Sequence, residues 1–214
     1  MEISLSNMTN KIKKRYNRIA GVYDFLDQPM EMGFAKWRKK MLAEATGKTL
    51  EVGIGTGKNL PFYPKDVELT GIDFSEKMIE KARNKTNRPA KTQLLEMDAE
   101  KMSFEDNTFD TVVTSCVLCS VPDPVLGLKE IRRVCKNGGK ILMLEHVRSH
   151  KKVVGPLMDA FNFIPLNIYG ANINRETFQN LLNAGFKSKQ IHVTNVWFDI
   201  VKLIRISHNK QLNE

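Results

Sequence analysis

A single-domain α/β fold is predicted by three observations. Residues 48 to 57, Lys-Thr-Leu-Glu-Val-Gly-Ile-Gly-Thr-Gly, read as a short apolar strand entering a glycine turn, after which Asn59 onward can open a helix. A second strand ends at Asp73, on the spacing expected of such a unit. The chain has 214 residues, enough for one α/β unit with a buried core and additional helices.

The glycine turn is the first element with chemical content. Gly53, Gly55 and Gly57 let the backbone pass where side chains would collide with a ligand. Asp73, followed by Phe74, is placed to accept hydrogen bonds from both hydroxyls of a ribose. A dinucleotide fingerprint needs a third glycine five residues after Gly53, and Lys58 stands there. A phosphate-gripping loop needs glycine where Val52 stands and a hydroxyl residue where Asn59 stands. What remains is an acidic residue, Glu51, followed by x-Gly-x-Gly-x-Gly, a pattern that resembles class I methyltransferases dependent on S-adenosylmethionine.

Later segments extend the resemblance from about Tyr16 to Phe186. Leu94 to Glu100 is similar to that family's third strand and acidic loop, which implies that Asp98 meets the adenine amino group and Ala99 offers its backbone to the ring. Met102 to Asp110, followed by Thr111 to Ser115, resembles the turn into strand four. Then come a helix carrying Leu126, Leu128, Ile131 and Val134, a turn at Lys136 to Gly139, and a strand from Lys140 to Glu145. Gly138 or Gly139 is suited to the left-handed conformation that ends a helix.

The resemblance implies a Rossmann-like three-layer sandwich. Its sheet has seven strands, mostly parallel with the last reversed, and the final two are expected at Gln190 to Val196 and Phe198 to Ile206. Residues 1–45 are read as an N-terminal helical lid and 46–214 as the methyltransferase domain, together one structural domain. The implied cofactor is S-adenosyl-L-methionine, with S-adenosyl-L-homocysteine as product. Glu51 anchors the turn or reaches the methionine amine through water, and Thr56 or Asn59 contacts the carboxylate. Ser115 and Cys116 border the crevice at the carboxyl end of strand four.

The three cysteines include a C-x-x-C formed by Cys116 and Cys119. Cys135 stands alone without a flanking histidine, so no metal site is expected. The plainer reading has Cys116 ending strand four and Cys119 starting the next helix as small apolar residues.

The formal net charge is +9, part of it concentrated at Lys11, Lys13, Lys14, Arg15 and Arg18. On a helix these cations oppose an apolar face of Ile12, Tyr16, Ile19, Ala20 and Tyr23. Lys36, Arg38, Lys39 and Lys40 form a second basic group around Trp37. Such a helix either makes peripheral contact with an anionic membrane or caps the active site with its lysines solvated. No recognition module or zinc finger accompanies the basic residues, which argues against nucleic acid as the partner. No apolar run is long enough to span a bilayer and no signal segment is evident, so the expected location is cytoplasmic, with peripheral membrane association as the variant.

Residues 153 to 166, rich in apolar side chains and broken by Pro156 and Pro165, fit a short buried helix that also forms a greasy acceptor wall. Methyl transfer from a sulfonium needs alignment, exclusion of water and a base for a protonated nucleophile. Glu145 and His146 end strand five at the right edge of the sheet, and His146 is the candidate acid/base because it titrates near neutral pH. A hydrogen-bonded scaffold role for His146 stays open. His192 and His208 fall in later segments.

Two branches of the family are discernible. Arg15 to Asp24 resembles the N-terminal helix of bacterial phosphatidylethanolamine N-methyltransferases and of ubiquinone/menaquinone methyltransferases. This implies that Tyr16 and Tyr23 lie over the active site, holding an ammonium substrate or anchoring the lid. Cys116 to Val121, Leu144 to Val147, Asn172 to Arg175 and Ala184 to Phe186 are similar to membrane-associated methyltransferase-like proteins acting on small thiols. The expected acceptor is a small, lipid-like or apolar molecule, with a phospholipid amine headgroup favoured over a quinone or a thiol. A SAM-binding module without chemistry and an RNA methyltransferase are the remaining readings. The first conflicts with the crevice candidates, and no Asn-Pro-Pro-Tyr-type motif follows strand four to support the second.

Overall fold

A computed structural model describes residues 2–21, 28–168 and 170–209. The described strands are β1 (Lys48–Val52), β2 (Glu68–Asp73), β3 (Thr92–Glu96), β4 (Phe109–Ser115), β5 (Cys135–His146), β6 (Ile191–Trp197) and β7 (Val201–Ser207). They form one sheet in the order β3-β2-β1-β4-β5-β7-β6. All neighbours are parallel except β7, which runs antiparallel to both β5 and β6. The Rossmann-like sheet with a reversed last strand is therefore as expected from the sequence, and the final strands lie within a few residues of their predicted positions.

Continuous apolar runs make the central strands. Ile141, Leu142, Met143 and Leu144 of β5 are all buried, and because successive side chains point to opposite faces, both faces must be covered. One cluster joins Ile141 and Met143 to Leu128, Ile131 and Val134 of α4 (Pro124–Val134) and to Leu181 of α7 (Thr177–Asn183). The other joins Leu142 and Leu144 to Phe34, Met41 and Leu42 of α2 (Gln28–Leu42) and to Ile79 and Ala82 of α3 (Glu76–Arg83). These two clusters make the three layers. α1 (Glu2–Ile19) packs on α3, with Ile12 and Ala20 buried.

Several local expectations need correction. The glycine turn opens only a single 3-10 turn, Leu60–Phe62, because Tyr63 precedes Pro64 and takes an extended conformation. α4 ends at Val134 with Cys135 already extended, so Gly138, at φ +81°, lies within β5 and caps no helix. Leu126 is on the exposed side of α4, whose stripe is Leu128, Ile131 and Val134. β4 ends at Ser115; Cys116 turns with φ +55°, and Cys119 lies in a turn ahead of α4, which starts only after the cap Asp123. Asp123 accepts hydrogen bonds from the Val125 and Leu126 amides at 3.0 Å.

The apolar segment after β5 is not one buried helix. It forms α5 (Val154–Phe161) and α6 (Phe163–Ile168), and of their side chains Met158 is the large one that is buried. Asn162, between them, is pinned by Ile173 N donating to its Oδ1 at 2.8 Å.

Candidate active site

The chain passes from β1 to β2 on one side and later returns to β4 on the other. This creates a crevice outside the carboxyl ends of β1 and β4. A cavity of about 470 Å³ lies there. Two of its walls nearly touch: a Cβ on Gly53, at φ +68°, would sit 2.5 Å from a Val117 methyl. Gly55 also has positive φ, and a Cβ there would meet open space. Both glycines line the cavity, and Gly57 follows two residues on. A Cβ on Gly57 would lie 2.7 Å from Leu60 and 3.2 Å from Ala82, so this glycine serves close packing on α3.

Three strand-end carboxylates differ in what they face. Asp73 accepts from Gly55 N and Ser75 N, both at 2.9 Å, one on each oxygen. Burial raises its pKa to about 6 against these bonds, and each oxygen retains a second acceptor position. Glu51 accepts from Asn59 Nδ2 at 2.7 Å and from the Tyr63 hydroxyl at 2.9 Å, and burial raises it to about 7. Glu145 is turned away from the cavity. It accepts from Thr114 Oγ1 at 2.7 Å and from the amides of Val117 and Leu118, so it fixes the loop after β4.

His146, the next residue, lines the cavity because neighbouring strand residues alternate in direction. Its Nδ1 is 3.1 Å from the carbonyl oxygen of Ile173, which can only accept. The proton therefore sits on Nδ1, and Nε2 is left as the ring's acceptor. Burial lowers the pKa of His146, keeping it neutral near pH 7.

Tyr16 comes from α1 across the cavity. Its hydroxyl is hydrogen-bonded to Ser120 Oγ, and its ring meets Phe74 edge-on with centroids 5.6 Å apart. Burial raises its pKa, so the phenol stays protonated. Asp98 and Ala99 line the cavity, with Asp98 Oδ1 accepting from Glu100 N at 2.9 Å. Cys116 lines it as well. Tyr23 lies outside the described residues. His192 is exposed on β6, and His208 is buried against Phe186.

Arg38 is the site residue that the sequence reading missed. It is 5% exposed inside the cavity, and its Nη1 donates to Asn59 Oδ1 at 2.8 Å and to Ser115 Oγ at 2.6 Å. Asn59 thereby links Arg38 to Glu51. A signal was available: of the four clustered cations, Arg38 alone shares the helical spacing of Phe34, Met41 and Ala45, the apolar stripe.

The residues fit an adenosyl amino acid from end to end. Asp98 and Ala99 suit an adenine, Asp73 suits ribose hydroxyls, the Gly53 to Gly55 backbone admits close approach, and Arg38 suits a carboxylate. A mostly parallel sheet with this crevice and these groups defines a nucleoside-cofactor enzyme of the Rossmann-like class. Residues 50–143 match the family model described as a methyltransferase domain. The phosphatidylethanolamine N-methyltransferase of Cereibacter sphaeroides is 37% identical over 150 residues, covering 68% of this chain and 71% of that protein. The demethylmenaquinone methyltransferase of Staphylococcus aureus strain JH9 is 37% identical over 142 residues, covering 63% of this chain and 56% of that protein, so the match spans little more than half of that relative. Among solved structures, a SAM-dependent methyltransferase of Thermotoga maritima superposes with TM-score 0.68 at 18% identity, covering 92% of this chain and 99% of that one. The chain belongs to the S-adenosylmethionine-dependent methyltransferases.

Proposed function

We propose that this enzyme methylates the amine headgroup of a phospholipid. The observation that carries the reading is the pairing, across one cavity, of the Tyr16 and Phe74 rings with a neutral His146 whose acceptor nitrogen is Nε2. The 37% identity to a phosphatidylethanolamine N-methyltransferase supports it. Aromatic faces attract an ammonium, and a neutral imidazole can receive the proton that the ammonium must lose before it attacks.

S-adenosylmethionine, when bound, supplies a methyl carbon already activated by positive sulfur. The chain's own work is positional. Arg38, oriented by Asn59 and Ser115, holds the carboxylate end, and Asp73 holds the ribose. α1 covers the cavity as a lid and excludes water. His146 Nε2 accepts the proton released by the acceptor nitrogen and so leaves that nitrogen's lone pair free. The basic outer face of α1 gives the enzyme peripheral contact with anionic membrane.

A second reading, methylation of a quinone ring carbon, is favoured by the Staphylococcus aureus relative. Labelled methyl donor offered to phosphatidylethanolamine vesicles, a demethylquinone and a small thiol separates these acceptors. The headgroup reading expects label in the phospholipid and loss of about 100-fold in kcat for His146→Ala, with cofactor affinity kept. Label confined to quinone or thiol overturns it.

A further inference from the structure

Helices α5 and α6 present their apolar residues outward. Val153, Leu157, Phe161, Phe163, Ile164 and Ile168 are 44 to 68% exposed, the reverse of what a solvent-facing helix shows. Elsewhere among the described residues, large exposed apolar side chains are scattered at Leu126, Phe178 and Val193, except for the pair Trp197 and Phe198. That pair adjoins the same patch. Lys151 Nζ lies 5.9 Å from the Phe198 ring centre, and Asp199 takes hydrogen bonds from Ser149 Oγ and His150 N.

Around the patch the carboxylates of Asp159 and Asp199 are engaged in hydrogen bonds, and exposed cations flank it on two sides. Between residues 153 and 168 the single charged residue is Asp159, whose carboxylate is held by Arg148 at 2.8 Å and by Asn174 at 3.1 Å. Lys151 and Lys152 are exposed at the start of α5. On the other side, Arg15 of α1 donates to the carbonyl oxygen of Leu166 in α6 at 2.6 Å, and Ile12 packs at Gly170. Lys11, Lys14 and Arg18 surround Arg15 on the helix surface and are exposed. The apolar patch is thus rimmed by cations from two elements.

We infer that α5 and α6 insert their outer faces into an anionic bilayer, with the α1 stripe and Lys151–Lys152 holding the headgroups. The inference rests on the reading above that α1 contacts membrane and deepens it, assigning insertion to a different element and leaving α1 the electrostatic part. No helix among the described residues is long and apolar enough to cross a membrane, so docking is interfacial. A bilayer matches both the apolar centre and the cationic rim. A second copy of the chain matches only the centre, because two-fold pairing on this face would set like-charged rims against each other. The orientation also has a use. Pro165 of α6, with Ala171 and Ile173 just beyond, lines the inner cavity, so a docked α6 separates lipid from active site by one helix.

Vesicle sedimentation of the full chain tests this, using phosphatidylethanolamine mixed with phosphatidylglycerol and, separately, phosphatidylcholine alone. The wild type is expected to pellet with the anionic vesicles and to keep part of that binding in high salt. Phe161→Ser with Phe163→Ser should lower the partition coefficient about tenfold or more and leave only salt-sensitive binding. Lys11→Gln with Lys14→Gln should lower it several-fold and leave the salt-resistant part. Unchanged melting and S-adenosylhomocysteine binding certify that the variants fold. Leu157→Trp, read by emission shift and quenching from brominated lipid, reports insertion even if the double phenylalanine variant fails to fold. Full binding by that folded variant, or an unquenched Trp at 157, overturns the insertion while leaving α1 contact standing. Absence of vesicle binding by the wild type overturns both. A dimer that the phenylalanine changes dissociate, without vesicle binding, assigns the face to a second copy.

Discussion

Along the β1, β2 and β4 side of the cavity, functional groups hang from strand ends and are locked by short hydrogen bonds: Glu51 to Asn59 and Tyr63, Asp73 to two amides, Ser115 to Arg38. On the opposite side, α1 is attached by side-chain contacts from Tyr16 to Ser120, Asn17 to Ser75, Arg15 to Leu166 and Lys13 to Glu96, with no strand pairing. An exposed ion pair such as Lys13–Glu96 is worth about 0–1 kcal/mol. Under the proposed function the strand-end side is the cofactor wall, preset by the sheet, and α1, held by side-chain contacts and by the burial of Ile12 and Ala20, is the acceptor wall. This difference suits an enzyme whose donor is constant and whose acceptor must enter from outside.

If the cofactor wall is as rigid as this, its glycines should be the least forgiving positions. Gly53→Val should weaken S-adenosylhomocysteine binding at least about 100-fold by calorimetry, since a Cβ there meets Val117 at a positive φ. Gly33→Ala, where a Cβ meets nothing in α2, should leave both affinity and melting near wild type. Next, Arg38→Met should weaken cofactor binding about 10- to 100-fold while leaving the acceptor KM unchanged, the mark of a residue on the cofactor side.

The acceptor wall should respond in rate, not in cofactor affinity. Tyr16→Phe removes the Ser120 bond and should lower kcat about tenfold, with S-adenosylhomocysteine affinity held within about twofold. An equal loss of cofactor affinity would erase the distinction between the walls.

A smaller effect concerns pH. Glu51 has its folded pKa raised from 4.5 to about 7, so in that interval the native state holds more protons than the unfolded one. Its stabilising contribution is complete below about pH 4.5 and is lost as pH rises through about 7. Glu51→Gln should flatten this part of the stability profile by more than about 1 kcal/mol, measured by urea unfolding at pH 5 and pH 8. His146 is shifted the opposite way and keeps its own opposing slope in both proteins.

The strand-end side of the cavity was the part most legible in the sequence. Its signals are local: Glu51 through Gly55 run from the end of β1 into one turn, Asp73 and Ser115 end their strands, and Asp98 lies just beyond β3. Arg38 was hidden because a charge run reads as a solvated face until each cation is placed on the helical wheel. The packing need at Gly57 was hidden, since a glycine that lies close to α3 looks the same in sequence as one needed by a ligand. Glu145 and His146 could be separated only by knowing which face of β5 looks into the crevice. The outward turn of α5 and α6 was illegible for a related reason. Apolar composition predicts burial, and only tertiary context shows that these side chains are left exposed among the described residues.

The most direct test of the central claim is calorimetric titration of S-adenosylhomocysteine into the wild type, Asp73→Asn and Asp73→Ala. A single site on the wild type, weakened at least about 100-fold in Asp73→Ala with the fold retained, is the predicted result. Equal binding by all three proteins, or none by a wild type whose cooperative melt shows it folded, would contradict a cofactor held in this crevice.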